Sequence, residues 1–223
     1  GENPDQQASL YKLVNGNLCL GEVECIRPGL HLASDIELLQ SGKHPGKINI
    51  TDADSALAIL RYLTDRPATV IIKHNNPCGV AVADTLAESY RKAYFADRVA
   101  AFGGAVAVNG ELDLDTAEQI AESYSEVVVA PEYAEGTIER LSSRKNLRIM
   151  RVANMDRLRS FASERVVDFS SLIDGGLIVQ WSQVPTIGSR SDFLPARTER
   201  KGEVYQISRE PTSDKLDDMY FGW

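Results

Sequence analysis

The sequence predicts an α/β fold, a mixed but mostly parallel sheet with helices on both faces, on three observations. Short uninterrupted apolar runs recur at 69–72 (TVII), 105–108 (AVAV) and 127–129 (VVV), the mark of strands buried on both sides. Between them lie stretches with apolar residues at helical spacing behind capping residues. The two patterns alternate, and strand–helix–strand alternation builds parallel sheets covered by helices.

The elements follow in order. Residues 1–50 hold the turn pairs Asn15-Gly16, Pro28-Gly29, Ser41-Gly42 and Pro45-Gly46. They read as an irregular segment with short strands, packed on the core formed by residues 51–223. Thr51 or Asp52 is placed to cap a first helix carrying Ala56, Leu57, Leu60 and Leu63, ended by Pro67. TVII is the next strand, and KHNNPCG follows it as a loop. Thr85 and Glu88 have capping-box spacing, ahead of a helix with Leu86, Tyr90, Ala93 and Tyr94 on its apolar face. AVAV is a strand, Asp115 and Glu118 open a helix reaching about residue 124, and VVV is a strand closed by Ala130-Pro131. A helix over 132–143 and a strand over 147–152 (LRIMRV) complete the alternation. Beyond it, 166–170 and 177–181 read as a hairpin around Asp174-Gly175-Gly176. Residues 182–210 are polar and turn-rich. A last helix opens at Pro211-Thr212-Ser213-Asp214, with Leu216, Met219, Tyr220 and Trp223 in one stripe. That stripe meets no stop signal, so the expectation is an element that continues past Trp223.

Composition narrows the function. The 223 residues are 43% hydrophobic and 25% charged, as in globular domains rather than disordered chains. No apolar run nears the roughly 20 residues of a membrane span. With 32 acidic against 24 basic residues the formal charge is −8. That speaks against a nucleic-acid surface, which needs a basic footprint, and an anionic small substrate would need a locally basic site. Cys19, Cys25 and Cys78 are too few and too irregular for a disulfide framework. The polar, acidic opening GENPDQQ is no signal peptide. The expected location is the cytoplasm.

Three motifs could carry chemistry. In Lys73-His74-Asn75-Asn76-Pro77-Cys78-Gly79, a cation and a titratable imidazole stand side by side at a strand end, with turn-forming steps that let a ligand approach the backbone. A solvated polar loop would use the same residues. Ala101-Phe102-Gly103-Gly104 offers either a backbone shelf beside an aromatic ring or a tight turn with a core Phe. In Ile48-Asn49-Ile50-Thr51-Asp52, Asn49 is either a ligand contact or part of a helix cap. A zinc site is not expected: Pro77-Cys78 lacks the second Cys of the P-C-x-x-C deaminase element.

Together these motifs resemble one family. GENPDQQASLY is similar to the R-Y-G-E-N-P-H-Q segment that opens the formyltransferase domain of the bifunctional AICAR transformylase/IMP cyclohydrolase (AICAR is 5-aminoimidazole-4-carboxamide ribonucleotide). KHNNPCGVA matches its K-H-x-N-P-C-G signature, and AFGGAVAVN, EVVVAPEY, GGLIVQ and PTSDKLDDMYFGW follow in the family's order. The resemblance spans essentially the whole chain and implies the first of two subdomains with a three-layer, cytidine-deaminase-like α/β/α architecture lacking zinc. It implies purine biosynthesis: formyl transfer from 10-formyltetrahydrofolate to the 5-amino group of AICAR. His74 would transfer the proton and Lys73 would assist electrostatically. Ile48, Asn49, Phe102, Gly103 and Glu126 would line the nucleotide site. It also implies a homodimer or a complementing second half. The alternative is a non-catalytic ribonucleotide-binding module. Asp5 replaces the family's His, and the family's Arg-Tyr pair precedes Gly1, which removes a phosphate and ring contact.

Overall fold

The computed structural model describes residues 8–10, 19–20, 23–24 and 31–223. The segment 1–7 with Asp5, the turn pairs Asn15-Gly16 and Pro28-Gly29, and Cys25 lie outside the described residues, and Cys19 is described by its backbone alone. The chain divides into two units, Gly1–Ser182 and Gln183–Trp223.

In the first unit, β1 (Cys19–Leu20) and β2 (Val23–Glu24) form a short antiparallel pair. Then come β3 (Glu37–Gln40), α1 (Lys47–Leu60), β4 (Ala68–Lys73), β5 (Asn76–Val82), α2 (Leu86–Ala96) and the short α3 (Arg98–Ala101). They are followed by β6 (Gly104–Val108), α4 (Leu114–Glu122), β7 (Ser125–Ala130), α5 (Thr137–Ser142) and β8 (Arg148–Arg151). An antiparallel hairpin, β9 (Val167–Ser171) with β10 (Leu177–Trp181), comes last, as its sequence predicts.

One six-stranded sheet, in the order β3-β8-β7-β6-β4-β5, organises this unit. Alternate residues of its strands enter two cores. Ile71, Val106, Val128 and Ile149 pack with Tyr90 and Ala93 of α2, Ala117 and Ile120 of α4 and Leu141 of α5. On the opposite face Val70, Ile72, Ala105, Ala107, Val127, Val129 and Met150 pack with Ala53, Ala56, Leu57 and Leu60 of α1. Met155 and Leu158, from a 3-10 turn at Met155–Phe161, extend that second core. Helices therefore cover both faces, and the continuous apolar runs are explained by strands buried on both sides.

The sheet is mixed. β5, β6, β7 and β8 point one way and β3 and β4 the other, with the parallel pairs β6–β7 and β7–β8 at its centre. The reversal at β4 comes from the signature segment, which is a hairpin and not a loop. Lys73 ends β4, His74 and Asn75 form a two-residue turn, and Asn76 begins β5. Both turn residues have positive φ, 55° and 62°, the geometry that matches hairpin twist. Pro77 is tolerated because β5 is an edge strand and needs no donor on its outer side.

Several boundaries move from their sequence-based positions. α1 begins at Lys47, behind Gly46, whose N–H donates to Asn49 Oδ1 at 3.0 Å. Thr51 and Asp52 are thus inside the helix and cap nothing. α2 starts as predicted, with Thr85 Oγ1 accepting from Glu88 N–H at 3.1 Å. α4 is capped by Asp113, not Asp115. α5 starts only at Thr137, because residues 132–134 are drawn into extended pairing with Leu112 and Gly136 turns the chain at φ 78°.

The second unit holds a hairpin of β11 (Arg197–Arg200) and β12 (Glu203–Gln206), turned by Lys201 and Gly202 at positive φ. It also holds α6 (Ser213–Gly222), whose Asp217 pairs with Arg190 at 2.8 Å and whose Tyr220 hydroxyl donates to Gly188 O at 2.8 Å. Among the described residues, no helix is long and apolar enough to cross a membrane.

Candidate functional site

Five separate stretches of the first unit meet beside the sheet and enclose a cleft of about 660 Å3, inside the roughly 300–1,000 Å3 range of small-molecule sites. They are the 43–46 segment, the first turns of α1, the hairpin turn at 73–75, the Phe102-Gly103 turn, and the edge made by Tyr124, Glu126, Val127 and Arg148. Ile48, Asn49, Lys73, His74, Phe102, Gly103 and Glu126, all singled out in the sequence, line this one cleft.

The hairpin turn presents the chemistry. His74 is exposed, and among the described residues its ring has no hydrogen-bond partner. An imidazole in that state is free to meet a bound ligand. Lys73 Nζ donates to Phe102 O at 2.7 Å, joining the hairpin to the glycine turn. An ammonium has further donors for a ligand. Asp52, in the second turn of α1, is buried, and its Oδ1 accepts the Asn75 N–H at 2.7 Å. Burial raises its pKa above the ordinary carboxylate value, and the Asn75 N–H and the nearby His74 pull against that rise.

Opposite lies an aromatic shelf. The Phe102 side belongs to no core: the residue is 61% exposed, with its ring centroid 5.0 Å from that of Tyr124. Gly103 takes φ 77°, a conformation costly for other residues, and its N–H donates to Tyr124 O at 2.8 Å. Paired glycines beside an exposed ring give a flat wall with backbone groups at its margin.

The floor is polar. Asn49 Nδ2 donates to Glu126 Oε2 at 3.3 Å, and Arg148 Nη1 lies 3.7 Å from the same oxygen. Arg148 is buried, and its Nε donates to Lys43 O at 2.7 Å. One guanidinium therefore ties the 43–46 segment to the Glu126 carboxylate. Asn49 is both a helix-start acceptor and a cleft-facing donor, so the two uses its sequence context allowed coexist.

Charge separates this cleft from the rest of the surface. Lys43, Lys47, Lys73 and Arg148 face it with only Asp52 and Glu126 as acids, in a chain of net charge −8. Such a local inversion favours an anionic ligand. Sequence reading missed Lys43, His44, Lys47, Tyr124 and Arg148 as lining residues, and it missed the use made of Asp52. The run Lys43-His44-Pro45-Gly46-Lys47 carried a signal, being a dense basic patch in an acidic chain. Arg148 carried one too, as a cation inside a buried strand. Among the described residues, no group of three or more His, Cys, Asp or Glu side chains converges as a metal site.

The chain is similar to known proteins over its whole length. The bifunctional purine biosynthesis protein PurH of Caldicellulosiruptor saccharolyticus is 36% identical over 227 residues. That of Chlorobium phaeobacteroides is 36% identical over 226, and that of Bacillus cytotoxicus 34% over 223. Each alignment covers all of this chain but only 37–38% of the relative, so the chain spans little more than a third of the proteins it matches. A family model described as AICARFT/IMPCHase bienzyme matches residues 1–223. With that match running from end to end, over the hairpin, the shelf and the cationic floor alike, the chain belongs to the AICARFT/IMPCHase bienzyme family.

Proposed function

We infer that this chain carries the nucleotide-binding part of an AICAR transformylase site, and that it moves a formyl group from 10-formyltetrahydrofolate to AICAR once the remainder of the site is supplied. The observation that carries the reading is the convergence of the signature Lys73-His74 pair, the Phe102-Gly103 shelf and Glu126 on one cationic cleft. AICAR suits such a cleft. It is a phosphomonoester for the lysines, a planar heterocycle for the Phe102 ring, and a polyol and amide for Glu126 and Asn49. The finer fold assignment, a cytidine-deaminase-like subdomain, belongs to the same proposal. A mixed sheet between helical layers with the site at one end of its strands supports it.

In the reaction the 5-amino nitrogen attacks the formyl carbon, whose oxygen gains negative charge. The bond from that carbon to N10 of the folate then breaks, and tetrahydrofolate leaves. The amine is conjugated with the ring and its carboxamide, so it is a weak nucleophile and must lose a proton as the new bond forms. The His74 ring accepts that proton, and returning it to the departing folate nitrogen balances the step. Lys73, held beside Phe102, supplies fixed positive charge for the oxygen.

Because the chain spans 38% of its relatives, a homodimer or a separately supplied second half would complete the folate pocket. The test is a formyl-transfer assay on the chain alone and then with the remainder of a transformylase added. Turnover on addition, reduced about 10²–10⁴-fold by His74→Ala, is the expected result for a general acid–base residue. AICAR binding with no turnover under either condition would favour a non-catalytic ribonucleotide-binding module. Unchanged turnover in His74→Ala would remove the imidazole from the mechanism.

A further inference from the structure

We propose that Asp52 is the positioning residue of this site: its carboxylate holds the left-handed His74–Asn75 turn against α1 and so fixes where the imidazole is presented. The proposal rests on the reading that His74 handles the proton, and it adds a residue to which the sequence motifs gave only a capping role.

The turn needs holding. His74 and Asn75 sit at φ 55° and 62°, a region unfavourable for residues with a Cβ. Two-residue turns of this kind are ordinarily built from Asn-Gly or Asp-Gly. His and Asn are among the non-glycine residues that tolerate this region best, but neither has the freedom of glycine, so the turn gains from an outside hold. A group that bonds the turn in this conformation would add the selection glycine would otherwise supply.

Asp52 is that group. Its Oδ1 accepts the Asn75 N–H at 2.7 Å, from a residue only 8% exposed, so water competes little for the bond. With its amide nitrogen turned to α1, the Asn75 side chain also reaches Thr51 O at 3.2 Å, Thr51 Oγ1 at 3.0 Å and Asp52 Oδ1 at 3.1 Å. The clamp therefore grips the turn residue through backbone and side chain together. Asp52 has no evident competing duty. The helix N-terminus is five residues earlier, at Lys47. Among the described residues, no Lys, Arg or His forms an ion pair with its carboxylate; the Asn75 N–H is the main group offsetting its burial, with the nearby His74 adding to it.

The test uses Asp52→Ala, which deletes the acceptor, and Asp52→Asn, which keeps an oxygen there and removes the charge. In the chain itself, amide hydrogen exchange at Asn75 is expected to accelerate at least about tenfold in Asp52→Ala and to stay near wild type in Asp52→Asn. In the complemented enzyme, Asp52→Ala is expected to lower kcat about 10–100-fold with little change in the KM for AICAR, because misplacing a reacting group by about 1 Å has that effect. Asp52→Asn should retain most of kcat. Asn75→Gly, which makes the turn intrinsically favourable, should restore much of what Asp52→Ala loses. Equal losses in the Ala and Asn variants, no recovery with Asn75→Gly, or unaltered Asn75 exchange in Asp52→Ala would each overturn the proposal. If the wild-type protein transfers no formyl group, the functional reading fails separately, and the exchange measurement alone decides the role of Asp52. If Asp52→Ala does not fold, the Asp52→Asn comparison and the Asp52→Ala/Asn75→Gly pair decide it.

Discussion

Replacing Gly79, the last residue of the signature, by alanine separates a ligand-facing glycine from a packing one. The sequence context suggested a position where a ligand nears the backbone. In the fold, a Cβ on Gly79 would stand 1.9 Å from the carbonyl oxygen and 2.7 Å from the carbonyl carbon of Ala93, on α2. A carbon–oxygen contact settles near 3.3 Å, so α2 would have to retreat by about 1.4 Å. Both partners are backbone or Cβ, so no rotamer relieves the clash. That helix carries Leu86, Ala87, Tyr90 and Ala93 into the core, and their packing would loosen together. Overpacking costs about 1–3 kcal/mol, and a rigid contact of this kind belongs at the upper end, about 3 kcal/mol. For a chain of this size, a loss of that order lowers Tm by about 6–12 °C. Thermal denaturation followed by circular dichroism measures it, alongside calorimetric titration with AICAR well below Tm. The expected result is a lower Tm with near-normal affinity, since Gly79 is not among the residues lining the cleft. An unchanged Tm with lost affinity would refute the reasoning and return Gly79 to the ligand.

Phe102→Ala should barely change stability, because the residue is 61% exposed. It should weaken AICAR binding about 5–150-fold if the ring stacks on it with the roughly 1–3 kcal/mol of base–aromatic contacts. Calorimetric titration reads this, and equal affinities would remove the shelf from the binding account. Burial pushes the Tyr90 hydroxyl up to about 12 from an ordinary 10, with its bond to Ser123 acting the other way. The folded state then keeps that proton longer than the unfolded state, so the contribution is whole below pH 10 and is lost as pH climbs toward 12. The loss is about 2–3 kcal/mol at 1.36 kcal/mol per pH unit. Urea denaturation across that range should fall less steeply in Tyr90→Phe than in wild type, and parallel curves would contradict the assignment.

The centre of the fold was readable because burial on both faces leaves its mark in composition: TVII, AVAV and VVV are all strands. Thr85 was readable as a cap because its geometry is local. The hairpin at His74–Asn75 was not, since the pair lacks the glycine that marks a two-residue hairpin turn and the hold from Asp52 lies more than twenty positions away. The start of α1 was obscured because Asn49, not Thr51 or Asp52, answers the first free N–H. β11 and β12 escaped notice because both strands are exposed along their length, so no apolar alternation records them. Resemblance drew the Lys73-His74 pair, the Phe102 turn and Glu126 together. Arg148 and the 43–47 patch join them only through the sheet order, which puts β8 beside β7 and which periodicity does not encode.

The pairing of β3 with β8 bridges Glu37 and Arg151, 114 positions apart. A nascent chain emerging from the ribosome carries the signature hairpin well before Arg148, and the cleft described above is complete only once β8 has joined the sheet. A ligand of this cleft would therefore report a finished sheet, and one added during synthesis or refolding would stabilise completed molecules while leaving partial ones exposed to proteolysis.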